Sequence, residues 1–328
     1  IIFYRIVIMK KVVCVGEMLI DFVCLDTNTG IENGVNFIKK TGGAPANVAA
    51  CIGKLGGEPL IVAAVGNDLF GTYLKNEVAH YQVNIDFVET ANTPTTLAFV
   101  SLADDGEREF AFNRGADELL NLSNDTINVL LENAILHLGS ATALMGGELA
   151  LSYRKIALAA KENGNIISFD PNYRVDLWRG NEALFRQKCD EYLQLADIVK
   201  VSDEELVLLT QSSTMEDGCQ ILHEKGIKIV LVTLGSSGCF VSQNGQQYLV
   251  PAFEIDAVDT TGAGDAFIGA VLYKMSNKPQ GADFYASQLR EFVEFSEKVS
   301  GLVCSKIGAM TALPTEAEVE SLKFIVKE

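Results

Sequence analysis

Residues 259–270 read DTTGAGDAFIGA, and the rest of the chain is best understood outward from this stretch. Asp259, Thr260 and Thr261 lead into Gly262-Ala263-Gly264. Asp265 then opens the apolar run Ala266-Phe267-Ile268-Gly269-Ala270-Val271-Leu272, whose pattern predicts a buried helix. Small residues ahead of a helix let backbone N–H groups converge on one point, and the helix dipole adds partial positive charge there. Such a point suits a phosphoryl group in transfer. Asp265 falls in the first turn, beside the anion, where it is placed to orient or deprotonate an attacking hydroxyl. Aspartate is also a favoured helix cap, and capping is the alternative role for this residue.

The chain around this stretch has 328 residues, 48% of them hydrophobic and 21% charged, which is enough for one large α/β domain with an appendage. A net charge of −17 argues against nucleic acid, whose phosphates must be neutralised by Lys and Arg, and against an anionic membrane surface. Seven cysteines without a C-x-x-C pair sit mostly in apolar runs and read as free thiols of a reducing compartment, so the cytoplasm is the expected location. Three histidines, His80, His137 and His223, show no metal-ligand spacing. The opening IIFYRIVI is apolar but too short to cross a bilayer and lacks a cleavage pattern; it is read as an extension ahead of Met9.

Val12 to Val23 reads as one buried strand interrupted by Gly16, Glu17 and Asp21. Gly42-Gly43 form a turn, and Pro45 suits the first turn of a helix reaching Leu55. From Ile135 onward, strands at 135–138, 166–169, 198–201 and 229–234 alternate with helices near 147–163, 181–195, 203–210 and 215–225. Phe240 to Val250 reads as a hairpin, and a long helix runs near 286–304. This alternation predicts a doubly wound, mostly parallel sheet with helices on both faces. Two segments depart from it. Residues 26–40 and 88–112 alternate apolar and polar, with a turn signal at Asp104-Asp105-Gly106-Glu107, and are expected to form a separate small sheet.

No G-x-x-x-x-G-K-[ST], H-R-D or D-F-G string is present, nor a dinucleotide fingerprint after the first strand. The glycine–helix device is what remains for binding phosphate. Asp21 is a carboxylate in an apolar strand, where it needs either a basic partner or ligand hydroxyls. Gly42 and Gly43 permit close backbone approach, and Asn47 is the polar side chain in an otherwise apolar Ala46–Cys51.

DTTGAGDAF resembles the C-terminal signature of the PfkB (ribokinase-like) family of carbohydrate kinases. GEMLIDF at 16–22 and GGAPANVA at 42–49 resemble its N-terminal one. TLAFVSLADDGEREFAFNRGADELL, SFDPNYRVDLW and IVKVSDEEL narrow the resemblance toward fructokinases, and it covers nearly the whole chain from Met9. The resemblance implies a doubly wound core (1–25, 41–87 and 115–328) bearing a β-sheet lid (26–40 and 88–114) that closes over a sugar. It implies Asp265 as catalytic base, with Gly262, Ala263 and Gly264 stabilising the transferring phosphate. Asp21, Gly42, Gly43 and Asn47 would hold sugar hydroxyls, and Phe110 and Phe112 would wall the pocket. Arg114 and Arg174 match arginines that reach substrate or phosphate in related sugar-acid kinases; a solvated surface charge is the other reading of each. Ser202 stands for the asparagine of the family's N-x-x-E motif, with Glu205 organising water on Mg²⁺. Thr233, Gly235, Ser236 and Gly238 would line ATP, and Asp259 and Thr261 match two ligands of a monovalent cation such as K⁺. The implied reaction is ATP-dependent phosphorylation of the fructose 6-hydroxyl. A sibling kinase acting on 2-keto-3-deoxygluconate, ribose or a nucleoside is one alternative, and an inactive binding homologue another. A homodimer formed through the lid is a further expectation.

Overall fold

The computed structural model describes residues 9–26, 28–102, 108–243, 245–278 and 284–322. The extension 1–8, the turn at 104–107 and Asn244 of the second hairpin lie outside them. The described residues form thirteen strands: β1 Lys11–Val15, β2 Leu19–Cys24, β3 Phe37–Gly42, β4 Pro59–Gly66, β5 Asn84–Ala91, β6 Leu97–Leu102, β7 Arg108–Asn113, β8 Ala134–Leu138, β9 Ile166–Phe169, β10 Ile198–Ser202, β11 Ile229–Thr233, β12 Cys239–Gln243 and β13 Gln246–Val250. Nine make one sheet in the order β13-β12-β11-β10-β9-β8-β1-β4-β5. From β11 to β5 every pairing is parallel, and the β11–β12–β13 edge is antiparallel. Along β1, Val12 and Cys14 join one buried layer while Val13 and Val15 join the other. A strand covered on both faces reads as a continuous apolar run, which is why β1 showed no alternation.

The helices stand close to their expected places, at Gly147–Glu162, Glu182–Leu195, Asp203–Thr210, Met215–Glu224 and Phe284–Cys304. The helix Ala263–Ser276 packs between the helices Ala44–Lys54 and Phe284–Cys304, and most of its side chains are buried. Gly269 makes that packing fit: a Cβ there would lie 3.0 Å from Cys51 Cβ and 3.1 Å from the Val48 carbonyl. No helix among the described residues is long and apolar enough to cross a membrane.

The second sheet is separate and has the order β3-β2-β6-β7. Its boundaries correct the sequence reading at two places. The stretch Val12–Val23 is two strands, broken at Gly16, whose φ of 148° and tight contact with Ser140 no larger residue could take. β1 stays in the large sheet and β2, with Asp21, belongs to the small one. Residues 88–91, expected in the small sheet, are the end of β5 and pair with β4 at the large sheet's edge. An edge strand covered on one face alternates like any lid strand, so the period of two could not separate them.

Register gives the small sheet two distinct faces. Asp21, Ala98 and Phe112 form one cross-strand row, with Val100 and Phe110 two residues further on the same face. On the other face Phe22 stacks on Phe99 at 5.2 Å and meets Phe70 edge-on at 5.8 Å, while Lys39 Nζ lies 3.3 Å from the centre of the Tyr73 ring. That second face is therefore seated against the helix Leu69–His80. The Asp21 face is left to look elsewhere.

Candidate active site

Gly262 caps the helix Ala263–Ser276 in the left-handed conformation, φ 77°, with no side-chain cap. A Cβ there would lie 2.4 Å from Ala309 Cβ. The first-turn N–H groups follow at once, and Asp265 stands among them with 8% exposure. It does not cap its own helix. Its Oδ2 accepts from Asn47 Nδ2 at 2.8 Å, which ties the two glycine-led helices together at their starts. Burial pushes the Asp265 carboxyl above the usual carboxylate range; Arg174, the Asn47 hydrogen bond and Lys200 pull the other way, and Asp170 adds to the rise.

Asp21 approaches from the small sheet. Burial raises its carboxyl to about 6 against the pull of Arg174 and Lys40, with Glu17 and Asp265 adding repulsion. No basic side chain forms an ion pair with it at contact distance among the described residues. Gly42 lets it lie flat: a Cβ there would fall 2.1 Å from Asp21 Oδ2. A Cβ on Gly43, at φ 104°, would lie 2.4 Å from the Glu17 carbonyl oxygen, so only glycine lets the backbone pass so close. Asn47 Oδ1 is buried without a hydrogen-bond partner, so this side chain holds Asp265 with one end and offers an acceptor with the other. Arg174 is exposed, yet its positive charge is the largest counterweight on both Asp21 and Asp265.

A buried ionic cluster that sequence reasoning missed lies behind these groups. Lys200 Nζ pairs with Asp170 Oδ2 at 3.0 Å, and it sits 3.0 Å from the point a Cβ on Gly264 would occupy. A buried ammonium thus stands against the glycine turn at the start of the signature helix. Its pKa is raised despite burial, because Asp170, Glu205 and Asp265 favour the charged form. Lys200 was legible as the lone charge in the apolar strand Ile198–Val201, and Asp170 as the acid after Ile166–Phe169. Glu17 was also missed; it is 1% exposed and accepts from Ala44 N and Ser140 Oγ.

Asp170, Ser202 and Thr233 stand at the carboxyl ends of adjacent parallel strands, with Ser202 and Thr233 directly paired. Ligands of open α/β sheets bind at such ends. Ser202 and Glu205 form a reciprocal capping box, and Glu205 Oε1 also accepts from Tyr173 N at 2.7 Å. Gly235 and Gly238, at φ 55° and 99°, shape the turn after β11, where Ser236 is exposed. Among the described residues no three His, Cys, Asp or Glu side chains converge to hold a metal. Asp259 closes the loop ahead of the signature helix, accepting from Thr261 N and Oγ1 and from Gly308 N.

Phe110 and Phe112 stack on each other at 6.0 Å on the Asp21 face, each half-buried. Arg114, read as reaching substrate or as a solvated charge, has partners within the chain in this structure. Its Nε pairs with Asp117 at 3.2 Å and its Nη2 donates to the carbonyls of Thr142 and Gly146. These bonds anchor the end of β7 to the core. A surface depression of about 530 Å³ near Lys10, Asn133 and Asn165 opens at the amino ends of β1, β8 and β9, away from all these groups.

A glycine-capped helix start carries an acid within its first turn, and a separate sheet delivers a second acid toward it. The pfkB carbohydrate kinase model matches residues 9–316, and the chain belongs to that family. Fructokinase-1 of Oryza sativa subsp. japonica is 38% identical over 317 residues, covering 95% of this chain and 97% of its own. A fructokinase from Vibrio cholerae O395, solved with fructose, ADP and calcium, is similar with a TM-score of 0.84 at 30% identity over 95% of this chain and 98% of that one. A fructokinase from Xylella fastidiosa with bound ATP gives 0.84 at 31% identity, over 96% and 98%.

Proposed function

We propose that this carbohydrate kinase is a fructokinase that transfers the γ-phosphate of ATP to the 6-hydroxyl of fructose. The observation that carries the reading is Asp265, held by Asn47 at the open start of the signature helix with Asp21 facing it from the small sheet. Asp21, the Asn47 acceptor and the backbone at Gly42 and Gly43 bind the sugar hydroxyls, and Phe110 and Phe112 cover its carbon face. The hydroxyl oxygen attacks the γ-phosphorus in line, its proton passes to Asp265, and the bond to the β,γ-bridging oxygen breaks to release ADP. Backbone N–H groups at 262–264 and the Lys200 ammonium stabilise the charge on the transferring phosphoryl oxygens. Arg174 moderates the repulsion between the two acids. Ser202, Thr233, Gly235, Ser236 and Gly238 line the nucleotide. Mg²⁺ carried in with ATP would supply further charge neutralisation, and Glu205 is the residue that would orient its water. A monovalent ion would take the remaining lone pairs of Asp259 and Thr261. Seven free cysteines among the described residues suit a reducing cytoplasm.

The deciding experiment is a steady-state comparison of fructose, ribose, 2-keto-3-deoxygluconate and a nucleoside with ATP and Mg²⁺, reading ADP release. Fructose should give the highest kcat/KM. A higher value for any of the others would replace it as the acceptor, and release with none would favour the inactive homologue.

The small sheet is proposed to act as a lid that closes on the sugar and excludes water, a competing phosphoryl acceptor. Saturating fructose should then slow amide exchange in 95–102 and 108–113 more than in the helices Ala263–Ser276 and Phe284–Cys304. Unchanged exchange in β6 and β7 would leave the sheet a static wall. Val35 and Ile38, exposed at the β3 edge, are proposed to pair two lids in a homodimer. A monomeric mass at micromolar concentration in light scattering would remove that contact.

A further inference from the structure

The chain passes between the two sheets four times, and all four crossings meet in one buried polar cluster outside the reacting groups. The first crossing contains Glu17 itself. At the second, Ala44 N donates to Glu17 Oε1 at 3.2 Å. At the third, Thr96 Oγ1 donates to Asp117 Oδ1. At the fourth, Gly115 N donates to Thr96 Oγ1 at 2.9 Å, and Arg114 Nε donates to Asp117 Oδ2 at 3.2 Å. Two groups after β8 anchor the cluster in the core. Ser140 Oγ donates to Glu17 at 2.5 Å, and Thr142 Oγ1 lies 2.9 Å from Asp117 Oδ2 and 3.4 Å from Glu17 Oε2. Glu17, Thr142 and Asp117 are each 1% exposed, so none can touch a bound sugar from this position.

The proton inventory sets this cluster apart from a simple brace. A hydroxyl carries one proton, and Thr142 Oγ1 stands within reach of two carboxylates that the other members of the cluster already hold. The shorter contact goes to Asp117, which governs the β6 and β7 crossings. Glu17, which governs the crossings into β2 and out of β3, is left with the longer one. A small rotation of the sheet about its crossings would bring Thr142 Oγ1 nearer to one carboxylate as it left the other. Such an exchange of partners by one buried hydroxyl would make the cluster a bistable joint.

We infer that Glu17, Thr142 and Asp117 are positioning residues, a buried hinge that sets the angle of the small sheet over the acceptor site. The inference rests on the reading that this sheet closes on the sugar. The hinge acts on sugar affinity and on exclusion of water, and leaves nucleotide binding alone.

Thr142→Val keeps the shape and removes the shared proton; Thr142→Ser restores it. Thr142→Val is expected to raise KM for fructose about tenfold, the worth of one buried hydrogen bond, and to leave KM for ATP within about twofold. ADP release without sugar should rise relative to sugar-dependent release, and Thr142→Ser should return all three toward wild type. An unchanged fructose KM in folded Thr142→Val overturns the hinge, as do equal rises in both KM values or a serine variant as impaired as the valine one. If Thr142→Val does not fold, Asp117→Asn carries the same expectations. Failure of both to fold would make the cluster a folding requirement and also overturn the assignment. Should wild type prefer another sugar, the acceptor reading fails by itself, and the same variants test the hinge with that sugar.

Discussion

Asp265→Asn is expected to lower kcat by about 10²–10⁴-fold, the usual loss when a positioned base is removed, with fructose KM changed only a few-fold. Asn47 Nδ2 donates to the carboxylate, so an amide at 265 must turn its oxygen toward Asn47 and its NH₂ toward the acceptor hydroxyl. A group that donates cannot take the hydroxyl proton. The fold should tolerate the change. Because burial raises the Asp265 pKa, its stability contribution is present in acid and lost as pH rises through the folded value, so the charged form burdens the protein at neutral pH. The variant should therefore melt no earlier than wild type at pH 7.5. The same shift implies that wild-type kcat/KM rises with pH across a limb lying above the ordinary carboxylate range. Near-normal turnover in a folded Asp265→Asn would assign the residue to holding Asn47 and nothing more.

Asp21→Ala should raise fructose KM about 10²-fold, since hydrogen bonds to a charged group contribute about 1.5–3 kcal/mol each and this side chain is expected to make more than one. Asp21→Asn separates binding from stability. The wild-type carboxyl is raised to about 6 from 3.8, so folding is penalised once pH climbs through that interval. Asp21→Asn should accordingly melt a few degrees higher than wild type at pH 7.5, with the advantage gone by about pH 4. Its sugar affinity should still fall. A variant that binds fructose normally and melts much earlier would make Asp21 a structural acid instead.

Much of this site was legible because its residues are anomalies in their own segments. Asp265 interrupts an apolar helix, Asp21 an apolar strand, and Asn47 a run of small apolar residues. Lys200 was equally anomalous and was passed over, because its role appears only when β10 is brought beneath Gly264. Arg114 carries two signals at once. Its motif context points to the substrate, and Asp117 three residues on, a short-range signal, is the partner it takes in this structure. The large sheet followed from strand–helix alternation. The border of the small one did not, since β2 continues the apolar character of β1 and β5 alternates at an outer edge. Which sheet a strand joins is decided by non-local pairing, and periodicity reports only how many of its faces are covered.

The two acids have different mountings. Asp265 and Asn47 ride on core helices locked together at Gly269, while Asp21, Phe110 and Phe112 belong to the small sheet. Under the proposed reaction, regiochemistry and substrate identity are thereby carried by separate parts. The core pair would select which oxygen receives the phosphate, as a jig holds one edge of a workpiece, and the sheet would select which carbon skeleton is presented to it. Drift in β2, β6 or β7 can then retune the accepted sugar while every product still bears its phosphate at the carbon held against Asp265.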